Sequence, residues 1–459
     1  VTGAIVPFVP GLRNYQREAV DFLAASGRAI IALPPGTGKT ATVSSWLGGL
    51  DTPLRVLIVA PNGPVLQHWA DELHRWGGIA AVVGTGTPAK RKLARLGVVA
   101  DGGAIVVNYE CMRGDIDELL KIEWGAVVFD ESHRLKNRKA LVLKAAAKLA
   151  RRTPRLALVT GTPLLNSADE LWTSLHMMDP KRYASFWRWA TVLFDIEMPR
   201  HRGRIVREVK GMKPGAAPVI RQQLAAYLVK RPLKELMPEL PPVTETYLHV
   251  QLSPPERRMY DSMRSRFWME HGGEVFEAPY KITQSLRLRQ LSSDWSAFTQ
   301  VLRDVAPAQL GAKGLAAVDL VNDLAPDQVL VLCAFRHTAD AIVIALDGQA
   351  VAYHGGIGSI ARGATIKAFT SGAARVLVGT IGTLGEGVDG LQVARHLVMV
   401  DRDWTPARNE QAIARLARSG QRSAVNVTHL VADDTYDAVV SAALRRKESV
   451  VSAILGTRP

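Results

Sequence analysis

Short apolar runs alternating with helical patterns, twice over, constrain this chain more than any other feature. RAIIAL (28–33), RVLIVA (55–60), AIVVNY (104–109), GAVVFD (125–130) and LALVT (156–160) read as buried strands. Stretches with helical spacing lie between them, such as GPVLQHWADELHRW (63–76) and AAAKLARR (145–152). Strands alternating with helices require crossover connections and therefore a parallel sheet. The alternation stops near Trp172 and resumes after Lys313, with QVLVLCAF (328–335), AARVLVGT (373–380), RHLVMVD (395–401) and AVNVTHLVA (424–432) as strands. ADAIVIAL (339–346) and PARNEQAIARLARSG (406–420) are the helices between them. The expectation is an α/β chain: a first lobe over 1–175, a mostly helical insertion and linker over 176–311, and a second parallel-sheet lobe with a helical tail over 312–459.

The middle block lacks strand runs and is rich in Arg, Trp, Met and Pro. It holds the basic segment PRHRGRIVREVKGMK (199–213), with Arg200, Arg202, Arg204, Arg207, Lys210 and Lys213, and the proline cluster LMPELPPVTE (236–245), an extended connector. The segment is either a nucleic-acid contact or a solvated loop. Trp187, Trp189, Trp268 and Trp295 read as helical core residues rather than base-stacking platforms. Lys and Arg total 57 against 43 Asp and Glu, a formal charge of +14. That excess suits a polyanionic partner, or simply a well-solvated protein. Charged residues at 22% and hydrophobic ones at 47% exclude a disordered composition. Cys111 and Cys333 lie far apart inside apolar runs, and His337 and His354 have no partner cluster, so no zinc site is implied. No apolar run reaches a membrane span, and the opening VTGAIVPFVPG lacks a basic flank and is broken by Pro7 and Pro10. A soluble, cytoplasmic protein follows as an expectation.

LPPGTGKT (33–40) follows one strand and opens a helix, the place where a phosphate-cradling loop must sit. Gly36, Thr37 and Gly38 would wrap the phosphates, Lys39 would neutralise them, and the Thr40 hydroxyl would ligate magnesium. The usual pattern begins with Gly, where this chain has Leu33. A nucleotide hydrolase also needs a carboxylate at a strand end to hold the metal and a base for water. VVFDESH (127–133) supplies Asp130 for the ion and Glu131 for the water, with His133 as a coupling residue.

These motifs, in this order, resemble the superfamily 2 helicases and, among them, Swi/Snf-type DNA translocases. The resemblance covers nearly the whole chain and implies two tandem RecA-like lobes, ATP and magnesium as cofactors, and duplex or branched DNA as partner. LRNYQ (12–16) is similar to the adenine-recognising segment, with Gln16 as reader. VLIVAPNGPVLQHWADEL (56–73) and VVNYE (106–110) resemble the DNA-tracking motifs, and LVTGTPLLNSADELW (158–172) the coupling motif, with Leu165 where Gln is usual. DNA contacts so implied are Pro61, Asn108, Tyr109, Lys136, Thr160, Gly161, Thr380 and Gly385. KRPLKELMPELPPVTE (230–245) resembles the bridge out of the first lobe, and VGTIGTLGEGVDG with the following stretch to Gln421 resembles the last two motifs joined. Gly387 and Asp389 are implied to face the nucleotide. Ala417 and Ser419 depart from the frequent His and Ile.

Arg415 and Arg418 lie three apart, so a helix through 406–420 would place them on one face as arginine fingers. The expected function is an ATP-driven motor on double-stranded DNA, hydrolysing ATP between the lobes. The alternatives are a strand-separating helicase, or a nucleotide-gated DNA-binding scaffold with little turnover.

Overall fold

The computed structural model describes residues 11–51, 54–162, 167–201, 204–271, 274–278, 280–295, 310–384 and 388–456. The chain forms two compact units. One comprises the chain up to Pro238 together with the segment from Lys447; the other is Glu239–Arg446. The division falls inside the proline-rich connector.

The first unit is built on strands β1 (Arg28–Ala32), β2 (Arg55–Ala60), β3 (Ala81–Val83), β4 (Gly103–Asn108), β5 (Ala126–Phe129), β6 (Arg155–Val159) and β7 (Leu228–Lys230). They form a 7-stranded sheet in the order β7-β1-β6-β5-β2-β4-β3, every neighbouring pair parallel. Helices α1 (Asn14–Ser26), α2 (Lys39–Gly48), α3 (Val65–Gly77), α4 (Pro88–Asp101), α5 (Tyr109–Gly114) and α6 (Leu141–Arg152) connect the strands. Val56 to Ala60 are all 0% exposed, as a strand covered on both faces must be. In α6 the buried residues Leu143, Ala146, Leu149 and Ala150 trace one stripe at helical spacing. Helices α2 and α3 meet with no side chain between them: a Cβ placed on Gly48 would lie 2.4 Å from the Gly77 carbonyl oxygen.

The second unit is built on β8 (Val243–Val250), β9 (Val329–Cys333), β10 (Ala350–Tyr353), β11 (Val376–Thr380), β12 (His396–Met399) and β13 (Val425–Ala432), a 6-stranded parallel sheet in the order β8-β13-β12-β9-β11-β10. Alternate residues feed two cores. Leu330, Leu332, Leu377 and Leu397 enter one, and Val329, Val331, Val376, Val378 and Val398 the other. Around the sheet lie α7 (Ala312–Asp323), α8 (Pro406–Ile413) and the start of α9 (Tyr436–Leu455). At the start of α7 the Lys313 side chain is 0% exposed and pairs with Asp401 at 3.2 Å and Asp437 at 2.9 Å. The end of α9 belongs to the first unit, where Ile454 is fully buried and Arg221 Nε donates to its carbonyl at 3.1 Å, satisfying a helix-terminal acceptor.

Two differences from the sequence reading have physical causes. The 176–311 stretch holds helices at Phe186–Leu193, Ala216–Ala225, Pro254–Arg266 and Lys281–Ser293, but it also supplies β7, β8 and three two-stranded ribbons. β8 is a sheet edge exposed along all but its last residue, and β7 is only half-buried, so neither produces an apolar run. The helix expected over 406–420 stops at Ile413. Beyond it Leu416 and Ala417, adjacent in sequence, both sink into the core, and Gly420 turns the chain at φ +97°. Gln421 Nε2 takes up the carbonyls of Ala394 and Gln392 at 2.9 and 3.2 Å. Tertiary burial ends this helix earlier than its periodicity predicts.

Candidate active site and nucleic-acid edge

The loop after β1 closes on itself. Gly36 and Gly38 take left-handed φ values of +79° and +73°, and Gly38 caps the N-terminus of α2. The Thr37 hydroxyl and the Lys39 ammonium both donate to the Pro34 carbonyl, at 2.7 and 3.1 Å, which holds the lysine within the loop. Thr40 follows on the first turn of α2, whose amide N–H groups lack intrahelical partners. Such a cradle of N–H groups, helix N-terminus and ammonium suits a phosphate chain. Gln16 lies against it, its Nε2 donating to Thr37 O at 3.2 Å and Gly38 O at 3.4 Å. Tyr15, which sequence reasoning passed over, donates from its hydroxyl to Thr37 O at 2.8 Å.

Asp130 stands just beyond β5, two strands away in the sheet, and is 8% exposed. Four hydrogen bonds fix it. Its N–H donates to Val59 O at 2.7 Å, its Oδ2 accepts from Trp69 Nε1 at 2.8 Å, its Oδ1 from Glu131 N at 2.9 Å, and its carbonyl from Tyr109 Oη at 2.6 Å. Burial, and then the neighbouring Glu131 charge, push the Asp130 carboxyl up to about 6, although the Trp69 bond and the Lys39 charge pull the other way. Glu131 adopts a left-handed backbone at φ +46°, and its Oε2 lies 3.2 Å from His133 Nδ1. A buried carboxyl held above its ordinary range beside a second acidic residue is relieved by a cation. The oxygen donors available, Asp130 and the Thr40 hydroxyl, fit magnesium.

The implied DNA contacts differ in exposure. Pro61 is buried at the end of β2, followed by exposed Asn62, Gly63 and Pro64. Asn108 is 8% exposed; its Oδ1 caps α5 by accepting from Cys111 N at 2.7 Å, and its Nδ2 reaches Asn62 Oδ1 at 3.4 Å. Tyr109 corrects the sequence reading: it is 4% exposed and spends its hydroxyl on Asp130, so its side chain offers no surface to DNA. Thr160 is 1% exposed, its hydroxyl bridging to the Thr162 backbone at 3.0 and 3.1 Å. Gly161 is partly exposed and lies against the phosphate loop, since a Cβ there would be 3.4 Å from Pro35. The Lys136 ammonium is 3.9 Å from Glu170. Thr380 ends β11 and donates to Thr383 Oγ1 at 2.9 Å. Pro163, Leu165, Arg202, Gly385 and Gly387 lie outside the described residues.

In the second unit Arg415 and Arg418 sit in turns after α8, so helical spacing does not align them as the sequence reading supposed. The structure instead gathers them at one loop. Arg415 Nη1 donates to Val388 O at 3.2 Å and Arg418 Nη1 to Asp389 Oδ1 at 2.5 Å. Three cations of the basic segment are engaged locally. Arg207 stacks 5.7 Å from the Trp187 ring, Lys210 pairs with Glu208 at 3.1 Å, and Lys213 donates to Thr191 O at 2.7 Å. Trp189 is a core residue, as expected, whereas Trp268 is 38% exposed. His354 bonds Asp340 at 2.8 Å, and no cluster of His, Cys, Asp or Glu able to hold a metal is present among the described residues. Nor is any described helix long and apolar enough to cross a membrane.

Comparison with known proteins gives two family matches: a SNF2-related domain over residues 15–296 and a helicase conserved C-terminal domain over residues 313–420. The chain is 25% identical to Protein CHROMATIN REMODELING 5 of Arabidopsis thaliana, over 95% of this chain and 26% of that protein. It is 26% identical to Chromodomain-helicase-DNA-binding protein 8 of Danio rerio, over 93% of this chain and 18% of that protein. It thus spans about a quarter or less of the length of these relatives. Among solved structures, the Sulfolobus solfataricus SWI2/SNF2 ATPase core in complex with dsDNA is similar at a TM-score of 0.45 and 20% identity, covering 96% of this chain and 93% of that one.

Proposed function

Since the chain belongs to the SNF2-related domain family, with a helicase conserved C-terminal domain behind it, we propose that it is a DNA-dependent ATPase that turns hydrolysis into movement along, or remodelling of, duplex or branched DNA. The observation that carries this reading lies at the carboxyl ends of the first sheet's strands, where Lys39 is held in its loop by the Pro34 carbonyl, Asp130 is buried just beyond β5, and Glu131 follows in a left-handed backbone. Helicase and DNA-binding in the name of a relative add support. The first unit is read as the ATP-binding lobe and the second as the helicase C-terminal lobe, with the parts of 176–311 outside β7 and β8 as protrusion and linker. The setting is a bacterial or phage-infected cytoplasm.

Phosphoryl transfer needs positioned charge and in-line water more than covalent help. Lys39 and the loop amides of 36–40 hold the phosphates. Thr40 and Asp130 would hold magnesium, which when bound supplies charge neutralisation on the phosphate oxygens. Glu131 orients and deprotonates the attacking water. Gln16 reads adenine by exchanging its bonds to the loop carbonyls. Arg415 and Arg418 supply positive charge to the outer phosphate, for which Arg418 exchanges its bond to Asp389; Asp389 and Gly387 are assigned to the nucleotide by the family resemblance. Asn108, Lys136, Gly161, Thr380 and Gly385 mark the DNA path, with contacts directed to phosphates rather than bases, and the buried Pro61 and Thr160 support the turns that carry it.

The test is the ATPase rate with no nucleic acid, single strand, duplex, fork, four-way junction and RNA. Stimulation by duplex or junction is expected; a rate indifferent to all of them would overturn the motor reading. Triplex displacement without unwinding of a forked duplex would identify a translocase, and unwinding a strand-separating helicase.

A further inference from the structure

We propose that Tyr109, seconded by Trp69, is a positioning residue through which the nucleic-acid edge of the first unit sets the hydrolytic carboxylates. The inference rests on the ATPase reading above and names a link inside it. Strands β2 and β4 run side by side, with Ala60 registered against Asn108 at their carboxyl ends. The exposed turn Asn62–Pro64 follows β2, and the Asn108–Tyr109 turn follows β4; the two are joined by Asn108 Nδ2 to Asn62 Oδ1 at 3.4 Å. From these turns two aromatic side chains run inward to the same target. Tyr109 donates to the Asp130 carbonyl at 2.6 Å, and Trp69, on the helix that the Asn62–Pro64 turn leads into, donates to the Asp130 carboxylate at 2.8 Å. Both side chains are buried, at 4% and 0% exposure, so their polar atoms are committed inside the protein.

The carbonyl that Tyr109 holds belongs to the peptide joining Asp130 to Glu131. Glu131 sits at φ +46° and ψ +49°, a region that a residue with a side chain enters only when its surroundings impose it. The tilt of that peptide decides where the Glu131 carboxylate points, and the Tyr109 hydroxyl is a side-chain donor that fixes the tilt. A phosphodiester backbone resting on the Asn62–Pro64 turn and beside Asn108 would press on the elements that carry the two donors. The chain of contacts from DNA to base is then short: turn, phenol, peptide, glutamate.

Tyr109→Phe removes the hydroxyl and keeps the ring. Steady-state turnover is measured with and without duplex, alongside duplex affinity by anisotropy and a thermal melt. The expected result is a fall of about tenfold in duplex-stimulated kcat and a smaller ratio of stimulated to unstimulated turnover, with KM for ATP and duplex affinity within about twofold of wild type. Trp69→Phe gives a readout independent of turnover: binding of a fluorescent ATP analogue with magnesium weakens about tenfold relative to binding without it. Wild-type kcat and stimulation ratio in Tyr109→Phe overturn the proposal. So does a loss of duplex affinity that accounts for the loss of rate, because Tyr109 would then be a DNA contact. If wild-type protein itself shows no nucleic-acid stimulation, the functional reading fails first and this inference falls with it, which the wild-type control reveals directly.

Discussion

Lys313→Met tests whether the second unit is organised around a buried ion triad. The Lys313 side chain is 0% exposed, with Asp401 at 3% and Asp437 at 13%. Replacing the ammonium with a thioether of similar length leaves two carboxylates without their cation. Removing one partner of a buried pair costs about 3–5 kcal/mol. The lower end applies here, because both carboxylates keep other donors: Ser293 Oγ at 2.7 Å and Ala334 N at 2.8 Å on Asp401, and Ala432 N at 2.9 Å on Asp437. At about 2–4 °C per kcal/mol for a unit of this size, a loss of about 3 kcal/mol lowers its melting transition by about 6–12 °C.

The pH dependence has a definite sign. Burial raises the Asp401 pKa, but the Lys313 charge, the Ala334 N–H and the Ser293 hydroxyl outweigh it and hold the carboxyl below its ordinary value. Its contribution in the wild type is therefore present at neutral pH and lost as pH falls through that depressed value. In the variant the abandoned carboxylates protonate readily, so the gap to wild type narrows from pH 8 to pH 5. The assay is thermal or urea unfolding at both pH values, following the second-unit transition separately, because a chain of two units need not unfold in one step. The double variant Lys313→Met, Asp401→Asn should recover part of the loss. A loss under about 1 kcal/mol, or one equal at pH 8 and pH 5, refutes the reasoning.

Three further outcomes follow from the site. Glu131→Gln keeps ATP binding and loses turnover by about 10²-fold or more, compared by nucleotide binding and phosphate release; full turnover would remove Glu131 from its role. The Asp130 carboxyl, pushed up to about 6 by burial and Glu131, destabilises the nucleotide-free first unit above that pH and is relieved below it. Added magnesium with ATP should therefore raise its melting temperature more at pH 8 than at pH 5.5, and an equal rise would contradict the assignment of Asp130 to the ion. Lys210→Ala and Lys213→Ala, whose ammonium groups are held by Glu208 and the Thr191 carbonyl, should change duplex affinity by less than about twofold, as surface pairs do; a larger fall would place that ribbon on DNA.

What could be read beforehand was what is local or fully buried. β2 occupies Arg55–Ala60, the run read from the sequence, because both of its faces are covered. The phosphate loop was legible because its parts adjoin one another in sequence. β8 was not, because an exposed edge strand needs no apolar residues. Trp69 falls in the apolar stripe Leu66, Trp69, Ala70, Leu73 of α3 and reads as packing; nothing in that stripe discloses an indole N–H aimed at Asp130. The resemblance points Tyr109 at DNA, whereas its hydroxyl partner, the Asp130 carbonyl, is 21 positions away beyond β5. Lys313 pairs with residues 88 and 124 positions away, a separation that no periodicity reports. The spacing of Arg415 and Arg418 implies one helical face, but core burial of Leu416 and Ala417 decides where α8 ends.

The bare crossing of Gly48 and Gly77 has its own mechanical meaning. With backbone against backbone and a mere 2.6 Å from a hypothetical Gly77 Cβ to the Ser44 carbonyl, there is no compliant layer to absorb relative sliding. The helix that begins in the phosphate loop and the helix that bears Trp69 are thus braced on each other's main chain, and a methyl group at either glycine would have to wedge them apart.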